Sequence, residues 1–253
     1  MSRERAQSWL CEKLGIHFPY SSMGKVDSLD LFGPNELMIF AFYEHNRERY
    51  KKVLDIGANL GLHSILMNRL GWDVKAFEPD LEIWKTAVAN VQGNGKRWGS
   101  GVMSVPPSWF PMRAAVSDRE GEGKFVRVLN NLTGSHLEGF KESYGPRETV
   151  TVPVVDCRPL FAWEDLAKLD VEGHEGVLLR CVTGDHLKHL DLICELRGEK
   201  EAASVLKHFN DLDCPIYTQK NNWKRAEKLG DMPVKHQEGS VFISKRGGPG
   251  CEG

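Results

Sequence analysis

Asp170, Glu172, His174 and Glu175 fall together in the stretch LAKLDVEGHEGVLLR. It reads as a short apolar strand running into a helix. An acid just past a parallel strand stands in the crevice where α/β proteins place their ligands. Asp170 and Glu172 are two positions apart, so both side chains face one side if the strand persists through them. Either would orient a hydroxyl or accept its proton. His174, at the turn, is a third candidate for proton transfer near neutral pH. His136, in NNLTGSH, is an alternative base. Glu175 falls in the first helical turn, where the helix dipole favours an acid. Asp170 and Glu195, each ending a strand, could share a hard metal ion through oxygen ligands. Two acids do not make a site and no third ligand is evident, so the expectation is no metal.

A second constellation lies upstream in VLDIGANLGLHS. A strand, a glycine-bearing turn and a helix leave backbone N–H groups pointing outward at the turn. The dinucleotide fingerprint G-x-G-x-x-G fails here, because Asn59 takes the place of its middle glycine and position 62 is Leu62. The spacing is D-x-G-x-x-x-G, which suits a ligand with an amino-acid end, with Asp55 accepting hydrogen bonds from an ammonium. Glu78 ends the next strand in AFEPD, where an acid can accept both hydroxyls of a ribose. Taken together, the turn and the acid specify a nucleoside ligand. His63 is expected to pack or cap near the turn.

The elements that must position these residues alternate. KKVLDIGA and DVKAFEP read as strands, and LHSILMNRLG and DLEIWKTAVANVQGNG as the helices that follow them. This β-α-β-α order predicts a mostly parallel sheet with helices on its faces. Residues 1–50 read as an N-terminal helical cap on the substrate side, 51–246 as the main α/β domain and 247–253 as a flexible tail. MRAAVSD is a further strand, and residues 118–155 form an inserted β excursion. The alternation then resumes through LDLICELRG to CPIYTQ and GSVFISK, which read as hairpin partners. The 253 residues, 41% apolar and 27% charged, describe an ordinary globular protein. A net charge of −2 gives no field that would favour nucleic acid. The chain has no apolar run of membrane-spanning length and no secretory leader pattern. Six cysteines without a CxxC pair read as reduced thiols, so a cytoplasmic location is expected.

VLDIGANLGLHS, AFEPD, AVSDREG and LDVEGHEGVLLR, in this order, resemble the FkbM-type S-adenosylmethionine-dependent methyltransferases over roughly residues 50–200. The resemblance implies the class I methyltransferase sandwich, a Rossmann-like seven-stranded sheet with an antiparallel last strand. It also implies transfer of a methyl group from S-adenosyl-L-methionine to a hydroxyl of a small molecule or glycan, with 51–246 as the catalytic domain. Carried over by residue, Asp55, Gly57, Asn59 and Gly61 would line the methionine part of the cofactor, and Glu78 would hold the ribose. Ala115 and Val116 would lie beside the adenine, Asp170 near both cofactor and acceptor. Asp118 reads either as an adenine contact or as a turn acid. The acceptor pocket would fall to residues 1–50, 96–112 and 125–150, with Trp98, Trp109, Phe110 and Tyr144 suited to its wall. Two other readings are an RNA 2′-hydroxyl methyltransferase, which would want lysines such as Lys168 near the sulfonium, and a cofactor-binding scaffold without catalysis. The neutral charge argues against the first and the intact motifs against the second.

Overall fold

The structure is a computed structural model that describes residues 2–94, 97–98, 101–102, 111–139 and 145–250. Two helices precede the first strand. α1 (Arg3–Leu14) is capped by the Ser2 hydroxyl and stopped by Gly15 in the left-handed conformation. α2 (Pro34–His45) begins on a proline, whose missing N–H is not needed in a first turn. Then come β1 (Lys52–Ile56), α3 (Leu62–Arg69), β2 (Asp73–Phe77) and α4 (Leu81–Gly93), the last capped by the Asp80 carboxylate. A two-residue pair, β3 (Arg97–Trp98) and β4 (Gly101–Val102), and the excursion strands β5 (Ala115–Ser117), β6 (Gly121–Val128), β7 (His136–Leu137) and β8 (Arg147–Asp156) follow. The remaining elements are α5 (Cys157–Phe161), β9 (Leu166–Leu169), α6 (Glu175–Arg180), β10 (Asp191–Glu195), α7 (Glu199–Asp211), β11 (Ile216–Thr218), β12 (Lys224–Arg225) and β13 (Ser240–Ile243).

The main sheet is mixed and seven-stranded, in the order β12-β11-β13-β10-β9-β1-β2. β2, β1, β9 and β10 run parallel, and β13 is antiparallel to both β10 and β11. Alternation along the strands sends Leu54, Ile56, Ala167 and Leu169 into one core with α6 and α7. It sends Val53, Val74 and Leu166 into another with α2, Tyr50 and Trp72. The register sets Asp55 beside Lys168 on this second face. A third cluster joins α1 and residues 16–32 to α3 and α4.

Three expectations are corrected here. MRAAVSD contributes to the main sheet only through a parallel bridge between Phe77 and Met112. Beyond it β5 pairs with β8 in a second sheet, β5-β8-β6-β7, where the long β6–β8 ladder offers a full partner that the end of β2 does not. The seventh strand of the main sheet is instead β12, after β11. The supposed flexible tail is tied down over its described part. Asn46 and Arg49 donate to the carbonyls of Pro249 and Gly248, at 2.8 and 2.9 Å. Trp109, Phe110 and Tyr144 lie outside the described residues, as does the Trp98 side chain. No helix among the described residues is long and apolar enough to cross a membrane, and the five described cysteines are free thiols.

The ends of β1 and β9 cross closely. Asp170 N–H donates to the Ile56 carbonyl at 2.9 Å, and Gly57 turns away with φ +83°. A Cβ on Gly57 would collide with the Asp170 carbonyl. Gly57→Ala therefore combines backbone strain with a backbone clash and should lower stability by about 3 kcal/mol or more, measured as the urea midpoint. A midpoint unchanged from the parent would show that the two turns are not packed against each other.

Candidate active site

A cavity of about 650 Å³ opens at the carboxyl ends of the central parallel strands. The ends of β1, β2, β9 and β10 supply its floor through Gly57, Glu78, Asp170 and Glu195. Its roof comes from residues 26–36 and from the excursion, including Phe125 and Leu132. The two roof segments are joined by backbone hydrogen bonds, Lys25 N–H to Asn130 at 2.6 Å and Leu132 N–H to Met23 at 3.1 Å.

Of the residues expected at the site, Gly57, Asn59, Glu78, Ala115, Val116, Asp170, Glu172 and His174 line this cavity, while Asp55 and Gly61 do not. Asp55 is fully buried behind it. One carboxylate oxygen accepts from Ser64 at 2.6 Å and the other lies 3.6 Å from the Lys168 ammonium, so the acid is engaged inside the protein. Gly61 (φ +84°) starts α3 and packs against Ala87 and Val91 of α4. His63 packs as expected, 2.9 Å from the Tyr43 hydroxyl and 2.9 Å from Glu36.

Asn59 adopts a left-handed conformation (φ +51°), and its buried Oδ1 has no hydrogen-bond donor among the described residues. Its N–H donates to Glu78 Oε2 at 3.0 Å, and Asp80 N–H donates to Oε1 at 2.9 Å. These bonds cross-link the two turns that follow β1 and β2. Burial pushes the Glu78 carboxyl up to about 8, outweighing the two backbone donors. Around it, Phe77, Ile83, Ala114, Val116 and Phe125 form an apolar slot.

On the opposite side the strand does not persist past Leu169. Glu172 takes φ +57° and Gly173 φ +100°, so Asp170 and Glu172 do not share a strand face. Asp170 lies 3.4 Å from Lys168, its side chain about a third exposed. Burial would raise its pKa, but Lys168 and Arg197 hold the carboxyl below its ordinary value. Lys168 is itself buried, beneath the cavity wall, and despite burial its ammonium is held above the ordinary value by Asp170, Asp55 and Glu36. The lysine is thus committed to these acids and does not face the cavity. Glu172 accepts from Arg197 Nη2 at 2.9 Å, and Glu195 stands 3.8 Å from the same nitrogen. Asp170 and Glu195, weighed above as partners for a metal, thus both feel a fixed guanidinium. Among the described residues no group of three or more metal-ligating side chains gathers.

Glu175 stands in the first turn of α6, as the sequence predicts, and does more there than face the helix dipole. It is fully buried and bends back to accept the N–H groups of Val171 and Gly173, at 2.7 and 2.8 Å. Glu201 reinforces this turn by accepting from Gly176 and Arg197 backbone N–H groups. Burial, with Glu201 alongside, pushes the Glu175 carboxyl up to about 8. His174 bonds the Ser117 hydroxyl through Nε2 at 2.9 Å, and burial pushes it down to about 4. The ring is almost fully buried and its Nε2 is engaged with Ser117, which leaves that nitrogen turned to the protein. His136 is buried outside the cavity wall with Nδ1 at 2.9 Å from the Gly134 carbonyl. Asp118 is a turn acid that accepts from Ser117 at 3.0 Å. Two residues at the site were missed. Arg197 follows the end of β10, and its place beyond a strand end was a usable signal. Glu36 enters from α2, and nothing in its local sequence points there.

No family model matches the chain, and no curated protein matches it. Among solved structures it is similar to that of WbdD, at 14% identity and a TM-score of 0.40, over 83% of this chain and 39% of that one. It is also similar to Trm1 from Pyrococcus horikoshii in complex with S-adenosyl-L-methionine, at 14% identity and a TM-score of 0.37, over 89% of this chain and 72% of that one. The chain spans about two fifths of the length of the first. Likeness at this level carries no argument about activity.

The buried carboxyls set a pH dependence. Glu78 and Glu175 titrate near 4.5 when exposed and near 8 in the fold. Between these values the unfolded chain ionises first, so their contribution is complete below about 4.5 and is lost as pH rises towards 8. His174 acts in the opposite sense, losing its contribution as pH falls from 6.5 towards 4. Glu175→Gln isolates one term. From pH 5 to 8 the parent should lose about 1 kcal/mol or more relative to this variant, read from urea midpoints. Parallel pH profiles would contradict a raised Glu175.

Proposed function

We propose that the chain is an S-adenosylmethionine-dependent O-methyltransferase of the FkbM type, acting on a hydroxyl of a small molecule or glycan. The observation that carries this reading is the junction of Asn59 and Glu78 at the cavity floor. It presents a buried acceptor oxygen without a donor among the described residues and a carboxyl at the tip of the second parallel strand. A ribose offers hydroxyls to Glu78, the apolar slot beside it suits a planar base, and the Gly57–Asn59 turn takes the amino-acid end. Among the described lining residues acids outnumber bases, which favours a cofactor carrying a sulfonium and an ammonium. The residues present therefore fit the group.

When bound, S-adenosylmethionine supplies an electrophilic methyl group on its sulfonium. The chain's part is to bind, orient and receive a proton. Asp170 is the acid best placed for the last two tasks, ionised by Lys168 and open to the cavity. A low pKa does not disqualify it. An alcohol oxygen that has gained a methyl group is a strong acid, so a weak carboxylate base suffices. Glu172, turned to Arg197, shapes the acceptor side. Residues 51–246 then form the catalytic domain and residues 1–50 cover the acceptor. Free thiols suit a reducing compartment, in keeping with a cytoplasmic location. An RNA 2′-hydroxyl is less well supported, since Lys168 lies under the wall and the wall itself is acidic.

Calorimetry on the purified chain should show binding of S-adenosylmethionine and S-adenosylhomocysteine and none of NAD. Glu78→Gln, which keeps the side chain's shape, should weaken that binding about tenfold or more with an unchanged circular dichroism spectrum. Binding of NAD alone would reject the assignment. Asp170→Asn should lower turnover about 10²-fold or more while cofactor affinity is kept, and turnover within threefold of the parent would remove Asp170 from the mechanism.

A further inference from the structure

The reading above leaves the acceptor open, and the cavity wall bears on its chemistry. Asp30, Glu36, Glu78, Asp170, Glu172 and Glu195 bring carboxyl groups to the wall. Among the described lining residues Arg197 is the one permanent cation. Its Nη2 is taken by Glu172, and Glu195 stands behind it. Its Nε, by contrast, is buried with no acceptor among the described residues. A buried donor without a partner is unfavourable, and a ligand oxygen placed against it relieves that.

The two observations constrain each other. An Arg fork by itself suits a carboxylate or phosphate. Here Glu172 already occupies one arm, and the surrounding acids repel a second anion. A neutral hydroxyl or carbonyl oxygen satisfies Nε without adding negative charge. An amine elsewhere on the same molecule would meet Glu36 on the roof side, where Asp30 is already paired with Arg3. Size adds a limit. About 650 Å³ is within the range for a single drug-sized ligand, so a cofactor sharing it leaves room for a small acceptor or one end of a longer one.

Resting on the methyltransferase reading, we infer that the acceptor is a small neutral or amine-bearing polyhydroxyl compound, held by a hydrogen bond from Arg197 Nε to one of its oxygens. Acidic sugars, phosphorylated metabolites and nucleic acids are excluded by the same wall. Arg197 is on this account a positioning and specificity residue, since it transfers no proton.

The test uses the full chain, shown by calorimetry to bind S-adenosylmethionine, with the methyl group of the cofactor labelled. A metabolite extract is separated by ion exchange into anionic, neutral and cationic pools, and total RNA is a fourth sample. After removal of residual cofactor, label should enter the neutral or cationic pool at least tenfold above the anionic pool and RNA. Arg197→Gln should lower that incorporation at least tenfold, mainly through KM, with cofactor affinity unchanged. Arg197→Lys, which keeps the charge but cannot reproduce Nε, should lower it too. Label chiefly in the anionic pool or in RNA overturns the inference. So does absence of label from every pool in a sample that binds the cofactor, or a parent-like KM in both variants. Absence of cofactor binding would instead reject the underlying methyltransferase reading.

Discussion

Lys168 lies buried between two carboxylates, 3.6 Å from Asp55 and 3.4 Å from Asp170. A buried ammonium is tolerated only when neighbouring acids offset its lost hydration, and removing one partner of such a group is severely destabilising. The arrangement follows from strand register. Asp55 and Lys168 are directly paired across β1 and β9, so their side chains emerge on the same face. The cation therefore welds the two central strands at the end where they open. It also keeps Asp170 charged at the edge of the cavity. The floor of the site, its charge and the close crossing of the two turns all hang on this triad.

Around it, acids serve as substitutes for backbone partners. Glu78 accepts N–H groups from the turns after β1 and β2, and Glu175 accepts two from the turn after β9. Turns at strand ends leave N–H groups without regular partners, and a carboxyl group with two acceptor oxygens can bind a pair of them. Burying these carboxyls raises their pKa, and a neutral carboxyl still accepts a hydrogen bond. The loops that carry Asn59 and Asp170 are thereby rigid before any ligand arrives, which is what positioning chemistry requires.

The α/β alternation from residue 51 to 93 was legible because each element carries its own signals: apolar runs, Asp80 as a cap, glycines at turns. That Asn59, Glu78 and Asp170 meet at one cavity was legible because strand ends in a parallel sheet converge on one crevice. The place of Asp55 behind the cavity was not legible because its partner, Lys168, is distant in sequence and meets it only through strand register. Glu172 was misread because period-two reasoning assumes an extended backbone, whereas the strand ends at Leu169 and Glu172 itself is left-handed. Gly61 lies off the cavity wall and faces α4, a contact no local pattern announces. The departure of β5 from the main sheet depended on competition from β8, which no local pattern records. Arg197 and Glu36 reach the site by tertiary placement, and the tail is held by side chains of Asn46 and Arg49.

That last anchorage bears on how the protein is assembled during synthesis. The Asn46–Pro249 hydrogen bond spans 203 positions, and Tyr50 meets buried Asp191 across 141. Arg246 also donates to Asp191. Contacts of this range carry a large loop-closure penalty and form late. While the ribosome is still producing the middle of the chain, β1 and β2 can pair with α3 already in place. The C-terminal end of α2 has to wait for residues 199 and 203 positions further along the chain. Glu36 rides on that helix, so the acidic roof is completed only after the strands of the floor have been made. Nascent chains would thus pass through a stage in which the β1–β2 part of the floor is formed and the α2 part of the roof is not.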